Sequence, residues 1–86
     1  MNSEPTVFIV DDDPGALQSI TWLIQSANHP VRSYASAREF LADYDANWPG
    51  CLILDLSMPE MNGLELQRKI NDSSWLLPII FVTGYG

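Results

Sequence analysis

The feature that most limits how this chain can fold is a set of short apolar runs that do not alternate with polar residues. The clearest are Thr6 to Val10, Cys51 to Leu54 and Pro78 to Val82. Short continuous runs of this kind suit strands that are covered on both faces, as in a parallel sheet. Val31 to Ala35 predicts a further, weaker strand. We therefore expect a sheet of four strands.

Helical patterns fill the spaces between these runs. The residues that mark the helix starts are Pro14 for the first helix, Ser36 with Glu39 for the second, and Asn62 with Glu65 for the third. The apolar side of the first helix is expected to consist of Leu17, Ile20, Leu23, Ile24 and Ala27. This helix should end at about residue 28, and the third at about Asn71.

The resulting order, β-α-β-α-β-α-β, indicates the α/β class, with a parallel sheet and right-handed crossovers. The chain has 86 residues, enough for one small domain, so we treat residues 1–86 as a single domain. A composition of 47% hydrophobic and 17% charged residues is typical of a globular chain and not of a disordered one.

Charge and composition narrow the classes of function. With 11 acidic and 4 basic residues the net charge is −7, so this segment is not expected to bind nucleic acid directly. The single cysteine, Cys51, cannot form an intramolecular disulfide, which suits a reducing cytoplasm. The first residues, MNSEPT, do not resemble a signal peptide, and no apolar run is long enough to cross a membrane. A cytoplasmic location is expected.

Polar residues stand where three of the predicted strands end. Asp11, Asp12 and Asp13 follow the first strand, Asp55 follows the third, and Thr83 follows the fourth. The carboxyl ends of parallel strands lie on one edge of the sheet, so Asp11, Asp12 and Asp55 converge if strands one and three are neighbours. Converging carboxylates either take up a proton or share a cation, and a few oxygen ligands on an open crevice suit Mg²⁺. Such a site favours covalent chemistry through an aspartyl-phosphate.

Three motifs, in this order and spacing, resemble the receiver domain of bacterial two-component response regulators. They are FIVDDD at 8–13, LILDLSMPEMNG at 52–63 and IIFVTG at 79–84. The pattern D-L-x-M-P-x-M-x-G is similar to the branch that carries a C-terminal helix-turn-helix output domain. The resemblance implies a flavodoxin-like fold with sheet order 2-1-3-4, a sensor histidine kinase as partner, and a signalling domain that is not itself an enzyme.

The resemblance also implies a role for individual residues. It implies that Asp55 is the phosphoacceptor and that Thr83 provides the switch hydroxyl. It also implies that Asp12 binds Mg²⁺ directly and that Asp11 acts mainly through a metal-bound water. The backbone carbonyl of Ser57 would be a further Mg²⁺ ligand. Asp13 is given no ligand role.

The chain also departs from the receiver pattern. That family has five strands and five helices, with a lysine after the fifth strand, whereas this sequence predicts four strands and three helices, and its only lysine is Lys69. We therefore expect the N-terminal part of a receiver, cut after the fourth strand and without its output domain. Pro78 to Val82 would then form an exposed apolar edge that pairs with a second copy or with another receiver.

Two alternatives remain open. The segment VDDDPG resembles that of a haloacid-dehalogenase-type phosphatase, with Asp11 as nucleophile and Asp13 as acid and base, although this leaves Asp55 unexplained. The other alternative is a truncated, non-catalytic module that dimerises with a complete relative. Of the scattered tryptophans, Trp22, Trp48 and Trp75 are expected to serve packing.

Overall fold

The computed structural model describes residues 4–45, 47–55, 63–72 and 77–82. Its elements, in chain order, are β1 (Thr6–Val10), α1 (Pro14–Ser26), β2 (Val31–Tyr34), α2 (Ala37–Asp43), β3 (Gly50–Asp55), α3 (Gly63–Asp72) and β4 (Ile79–Val82). The four strands form one parallel sheet in the order β2-β1-β3-β4. The predicted class, element order and sheet order are thus confirmed.

Element bounds differ from the predictions by one or two residues. β2 ends at Tyr34 and not at Ala35, and β4 begins at Ile79 and not at Pro78. The first helix ends at Ser26, because Asn28 turns the chain with a φ of 65°. Asparagine is one of the few residues other than glycine that adopt this left-handed conformation readily.

The capping box predicted for the second helix is present. The hydroxyl of Ser36 accepts a hydrogen bond from the backbone N–H of Glu39 at 3.1 Å. This bond satisfies one of the N–H groups that have no partner in the first turn of a helix. The N-cap predicted for the third helix, Asn62, lies outside the described residues.

The main core lies between the sheet and the α2 and α3 helices. Its fully buried members from the sheet are Phe8, Val10, Leu52 and Leu54, and those from the helices are Phe40, Leu66 and Ile70. Phe8 is at the centre, with its ring 5.9 Å from Phe40, 5.2 Å from Tyr44 and 6.2 Å from Trp48. Aromatic pairs in these offset and edge-on arrangements stabilise a core beyond the area they bury. The prediction that Trp48 serves packing is confirmed.

On the opposite side of the sheet, α1 covers only part of the surface. This helix packs against β1 and β2. Ile9, Ile53 and Ile80 occupy paired positions on β1, β3 and β4, so they share one face of the sheet. Ile9 is fully buried, Ile53 is partly buried and Ile80 is 53% exposed. Coverage of this face therefore fades from β1 towards β4.

Two predictions about α1 were wrong. Trp22 was expected to pack and Leu23 to face the core, yet they are 63% and 67% exposed. Each residue turns a helix by about 100°, so Leu23 is rotated away from the side of its neighbour Ile24, which is partly buried. Trp75 lies outside the described residues.

Gly50 fixes the start of the pairing between β1 and β3. It lies opposite Thr6 with a φ of 145°, and a Cβ atom at this position would be only 1.9 Å from the carbonyl oxygen of Thr6. Only glycine allows two backbones to approach in this way. Within the described part of the chain, no helix is long and apolar enough to span a membrane.

Candidate functional site

Three carboxylates meet at one end of the sheet. Asp11, Asp12 and Asp55 each offer an oxygen atom, and these oxygens all lie within 4.8 Å of one another. Asp11 and Asp55 are only 4% and 3% exposed, whereas Asp12 faces solvent. The predicted convergence of these residues is therefore present, with two deep carboxylates and one at the rim.

The sheet register explains why Asp11 and Asp55 lie at the same level. Val10 of β1 pairs with Leu54 of β3, and each is followed by one of the two aspartates. The backbone N–H of Asp11 donates to the carbonyl of Tyr34 at 3.2 Å, which extends the pairing of β1 with β2 by one residue. Asp55 is itself paired with Val82 of β4. Both carboxylates thus stand on backbone that the sheet holds in place.

A pair of local turns orients the acidic segment. One oxygen of Asp11, Oδ1, accepts a hydrogen bond from the backbone N–H of Asp13 at 3.0 Å. The Oδ1 atom of Asp13 in turn accepts from the N–H of Gly15 at 3.2 Å, and Asp13 is the N-cap of α1, directly before Pro14. Asp13 is thus a helix cap, a role that sequence reasoning missed. The signal was present, because aspartate before a proline at the first helical position is a common helix start.

Burial, with nearby like charges, makes the Asp11 carboxylate harder to ionise. Burial raises its pKa above the usual 3.8, the N–H of Asp13 partly opposes this, and the nearby charges of Asp55 and Asp12 raise it further. Burial and like charges both disfavour the ionised form. A proton on Asp11, or a cation shared by the three carboxylates, would relieve the repulsion.

The donor set fits a hard divalent cation such as Mg²⁺. All three groups offer carboxylate oxygens, and the exposure of Asp12 leaves one side of the cluster open. Mg²⁺ prefers oxygen ligands and keeps several waters, so it suits an acidic crevice that is open to solvent. Asp11, Asp12 and Asp55 are therefore the described residues that could hold such an ion.

Some residues implied by the resemblance cannot be placed. Ser57 and Thr83 lie outside the described residues. The roles implied for Ser57 and Thr83 stay predictions. Lys69 is an exposed residue of α3.

Comparison with known proteins defines the class. The response regulator receiver domain family matches residues 7–86 of this chain. The chain belongs to this family, whose members are domains of two-component signalling. The flavodoxin-like fold predicted from the resemblance is confirmed by solved receiver structures that share it.

Individual relatives are regulators with longer chains. The response regulator protein TmoT of Ectopseudomonas mendocina is 42% identical over 85 residues, which are 99% of this chain and 39% of TmoT. The C4-dicarboxylate transport transcriptional regulatory protein DctD of Rhizobium meliloti is 42% identical over 86 residues, which are 100% of this chain and 19% of DctD. This chain therefore spans well under half the length of these relatives.

Solved structures agree closely. The response regulator StyR has a TM-score of 0.92 at 39% identity, and the match covers 98% of this chain and 42% of StyR. FixJ-N has a TM-score of 0.88 at 35% identity, with 99% of this chain and 68% of FixJ-N covered. None of these matches favours the phosphatase alternative, and the carboxylate it needs as acid and base, that of Asp13, caps α1.

Proposed function

We propose that this domain accepts a phosphoryl group on Asp55 from the phosphohistidine of a sensor histidine kinase. The observation that carries this proposal is the position of Asp55 at the end of β3, nearly buried and within 4.8 Å of the carboxylate oxygens of Asp11 and Asp12. Its family membership supports the same role.

In the proposed reaction, a carboxylate oxygen of Asp55 attacks phosphorus in line with the histidine nitrogen. The new P–O bond forms as the P–N bond breaks, and the imidazole nitrogen keeps the electron pair. A Mg²⁺ ion, when bound, would neutralise charge on the transferred phosphoryl group. Asp12 and Asp11, with the backbone carbonyl of Ser57, would hold that ion, and Thr83 would donate its hydroxyl to the phosphoryl oxygens. In this role the domain is a substrate of the kinase and not itself an enzyme.

A small phosphodonor tests the proposal without the kinase. Incubation with acetyl phosphate and Mg²⁺ should add the mass of one phosphoryl group to the intact protein, and Asp55→Asn should abolish this gain. Asp13→Asn is the matched control, because the amide oxygen keeps the cap on α1 and Asp55 remains as the acceptor. An unchanged mass in the wild-type protein, or the same gain in Asp55→Asn, would contradict the assignment.

Partners and location follow from the charge and from the relatives. The net charge of −7 supports a segment that does not bind DNA itself. The relatives include regulators named as transcriptional, so we propose that phosphorylation here controls a transcriptional output domain in the cytoplasm. The transfer of radioactive phosphate from a purified kinase would identify the cognate partner.

We also propose that β4 mediates self-association. Among the described strands it is the outermost at one edge of the sheet, and its residue Ile80 is 53% exposed on the face that α1 covers only over β1 and β2. An apolar strand at a sheet edge favours pairing with another chain. Light scattering should therefore give a mass above that of one chain at tens of micromolar, and Ile80→Lys should lower it. A stable monomer at that concentration would rule out this interface.

A further inference from the structure

We propose that Tyr34 is a positioning residue for Asp11, with its side chain fastened to α2 while its backbone carbonyl holds the backbone N–H of Asp11. The hydrogen bonds involved are Tyr34 O–H to Asp43 and Asp11 N–H to Tyr34. The consequence for cation binding rests on the proposed function, but the positioning itself can be measured without a cation.

The backbone half of this link involves β2, a strand at the lateral edge of the sheet. β2 occupies the outer position in the order β2-β1-β3-β4, so β1 is its one neighbouring strand among the described residues. Val10 pairs with Tyr34, and the 3.2 Å hydrogen bond from the Asp11 N–H to the Tyr34 carbonyl continues the pairing of β1 with β2 by one residue. The position of that hydrogen bond therefore depends on whatever holds the last residue of β2.

The side-chain half of the link comes from α2. The Tyr34 hydroxyl donates to Oδ2 of Asp43 at 2.5 Å, and its ring packs edge-on against Phe40 with 5.4 Å between centroids. Both partners belong to α2, so one helix holds the ring and the hydroxyl together. A hydrogen bond to a charged acceptor is among the stronger ones in proteins.

Asp43 has a second partner besides Tyr34. Arg32 approaches the same Oδ2 atom at 3.5 Å, and both side chains are about half-exposed. The guanidinium of Arg32 also lies over the ring of Trp48, 4.8 Å from its centroid. Removing the Tyr34 hydroxyl thus leaves Asp43 with Arg32 and water, and not with a stranded buried charge. Tyr34→Phe is therefore expected to fold.

Asp11 needs such support because its neighbours repel it. One of its oxygens lies within 4.8 Å of oxygens of Asp12 and Asp55, and its carboxylate accepts a hydrogen bond from the backbone N–H of Asp13. Groups that hold a metal ligand from behind set its orientation, and looseness there weakens binding. The two hydrogen bonds, from Tyr34 to Asp43 and from Asp11 to Tyr34, link α2 to the backbone that carries this carboxylate.

Amide hydrogen exchange, followed by NMR in the absence of metal, tests the link. Tyr34→Phe should speed exchange of the Asp11 N–H by about tenfold, since the hydrogen bond from Tyr34 to Asp43, which supports the acceptor of that N–H, is lost. The Val7 N–H, which donates to Pro30 at 2.9 Å at the other end of the same strand pair, should be unchanged. Tyr44→Phe, which removes a hydroxyl that donates to Trp48 at 3.3 Å in the same aromatic cluster, should leave both rates alone.

Substitution of the acceptor provides the second arm. Asp43→Asn keeps an oxygen for the Tyr34 hydroxyl and should behave nearly as wild type, whereas Asp43→Ala should reproduce the effect of Tyr34→Phe. In the double variant Tyr34→Phe with Asp43→Ala, the Asp11 N–H should exchange no faster than in either single variant, because both substitutions remove the same interaction. Equal acceleration of Asp11 and Val7, or of neither, would overturn the positioning role.

A Mg²⁺ titration by calorimetry then connects position to binding. Tyr34→Phe should bind Mg²⁺ several-fold more weakly than wild type, and Tyr44→Phe should not. Unchanged affinity in Tyr34→Phe, beside a wild type that binds, would also overturn the inference. If the wild type itself binds no Mg²⁺, the proposed function fails, and the exchange rates still decide whether Tyr34 positions Asp11.

Discussion

Asp11, directly after β1, and Asp55, the last residue of the adjacent parallel strand β3, lie at the same level of the sheet and are almost completely buried, with an exposed third carboxylate, Asp12, beside them. Burying two like charges this close costs stability unless a proton or a cation compensates them. The sheet nevertheless holds both residues on paired backbone. The fold thus sustains an electrostatic cost at the position where cation binding and phosphorylation would be useful.

That cost should appear in the pH dependence of stability. The pKa of Asp11 is raised above 3.8 in the folded protein, so the folded state binds this proton more tightly than the unfolded chain does. The stability contributed by protonated Asp11 is fully present below pH 3.8 and is lost as the pH rises through the raised pKa. In EDTA, Asp11→Asn should therefore be more stable than wild type at pH 7, and the difference should shrink on acidification. Urea denaturation across this range measures it, and a difference that does not vary with pH would contradict the expectation.

The cap on α1 should be separable from the acidic site. Asp13→Ala removes the acceptor for the Gly15 N–H and should lower the free energy of unfolding by about 1 kcal/mol. Asp13→Asn keeps an acceptor at the same place and should cost little. Chemical denaturation of the two variants makes the comparison. Equal losses would mean that the charge of Asp13, and not its hydrogen bond, supports the helix.

Sequence patterns predicted the elements of this fold better than their arrangement. The apolar runs predicted all four strands to within about two residues at each end, but the pattern alone left open which strands are neighbours. The order came from the resemblance to receiver domains. Trp22 and Leu23 were predicted wrongly because periodicity marks the apolar side of a helix but not how much of that side is buried. The substantial strand contacts of α1 are with β1 and β2, and both side chains remain exposed.

The site shows the same division. The convergence of Asp11 and Asp55 could be predicted, since each stands at the carboxyl end of a strand in a parallel sheet. The Tyr34–Asp43 bond could not, because the two residues lie on different elements, nine positions apart, and no local rule brings them together. Contacts of this kind depend on how a helix is docked, which a one-dimensional pattern does not contain.

Gly50 should tolerate no side chain. Gly50→Ala would place a Cβ atom 1.9 Å from the Thr6 carbonyl oxygen and strain a φ of 145°, so we expect a loss of at least about 3 kcal/mol or an insoluble protein. Gly15→Ala is the matched control, because its Cβ would meet nothing nearer than an Asp13 oxygen at 3.8 Å. That variant should be neutral or slightly more stable, as alanine favours a helix. Thermal denaturation of both proteins, or their soluble yield, makes the test, and a well-folded Gly50→Ala protein would show that β1 and β3 can separate at this point.

Mg²⁺ should stabilise the domain through the same carboxylates that destabilise it without metal. A ligand that binds only the folded state adds stability that grows with the logarithm of its concentration above Kd, and each 1 kcal/mol raises the Tm of a domain this small by roughly 4–8 °C. We expect the Tm at pH 7 to rise steadily with Mg²⁺ in the wild type. Asp12→Asn should flatten the rise, because Asp12 is the exposed member of the cluster and its loss leaves two buried carboxylates without an open third ligand.

The matched control for this experiment is Asp45→Asn. Asp45 is an exposed acidic residue outside the cluster, and it makes its own local hydrogen bond to the N–H of Asn47. Its loss changes the net charge by the same amount as Asp12→Asn, so a general effect of charge would flatten both curves alike. If Asp45→Asn follows the wild type while Asp12→Asn does not, the ion acts at the carboxylate cluster. If the two variants behave identically, Mg²⁺ screens the negative surface as a whole and the cluster is not its binding site.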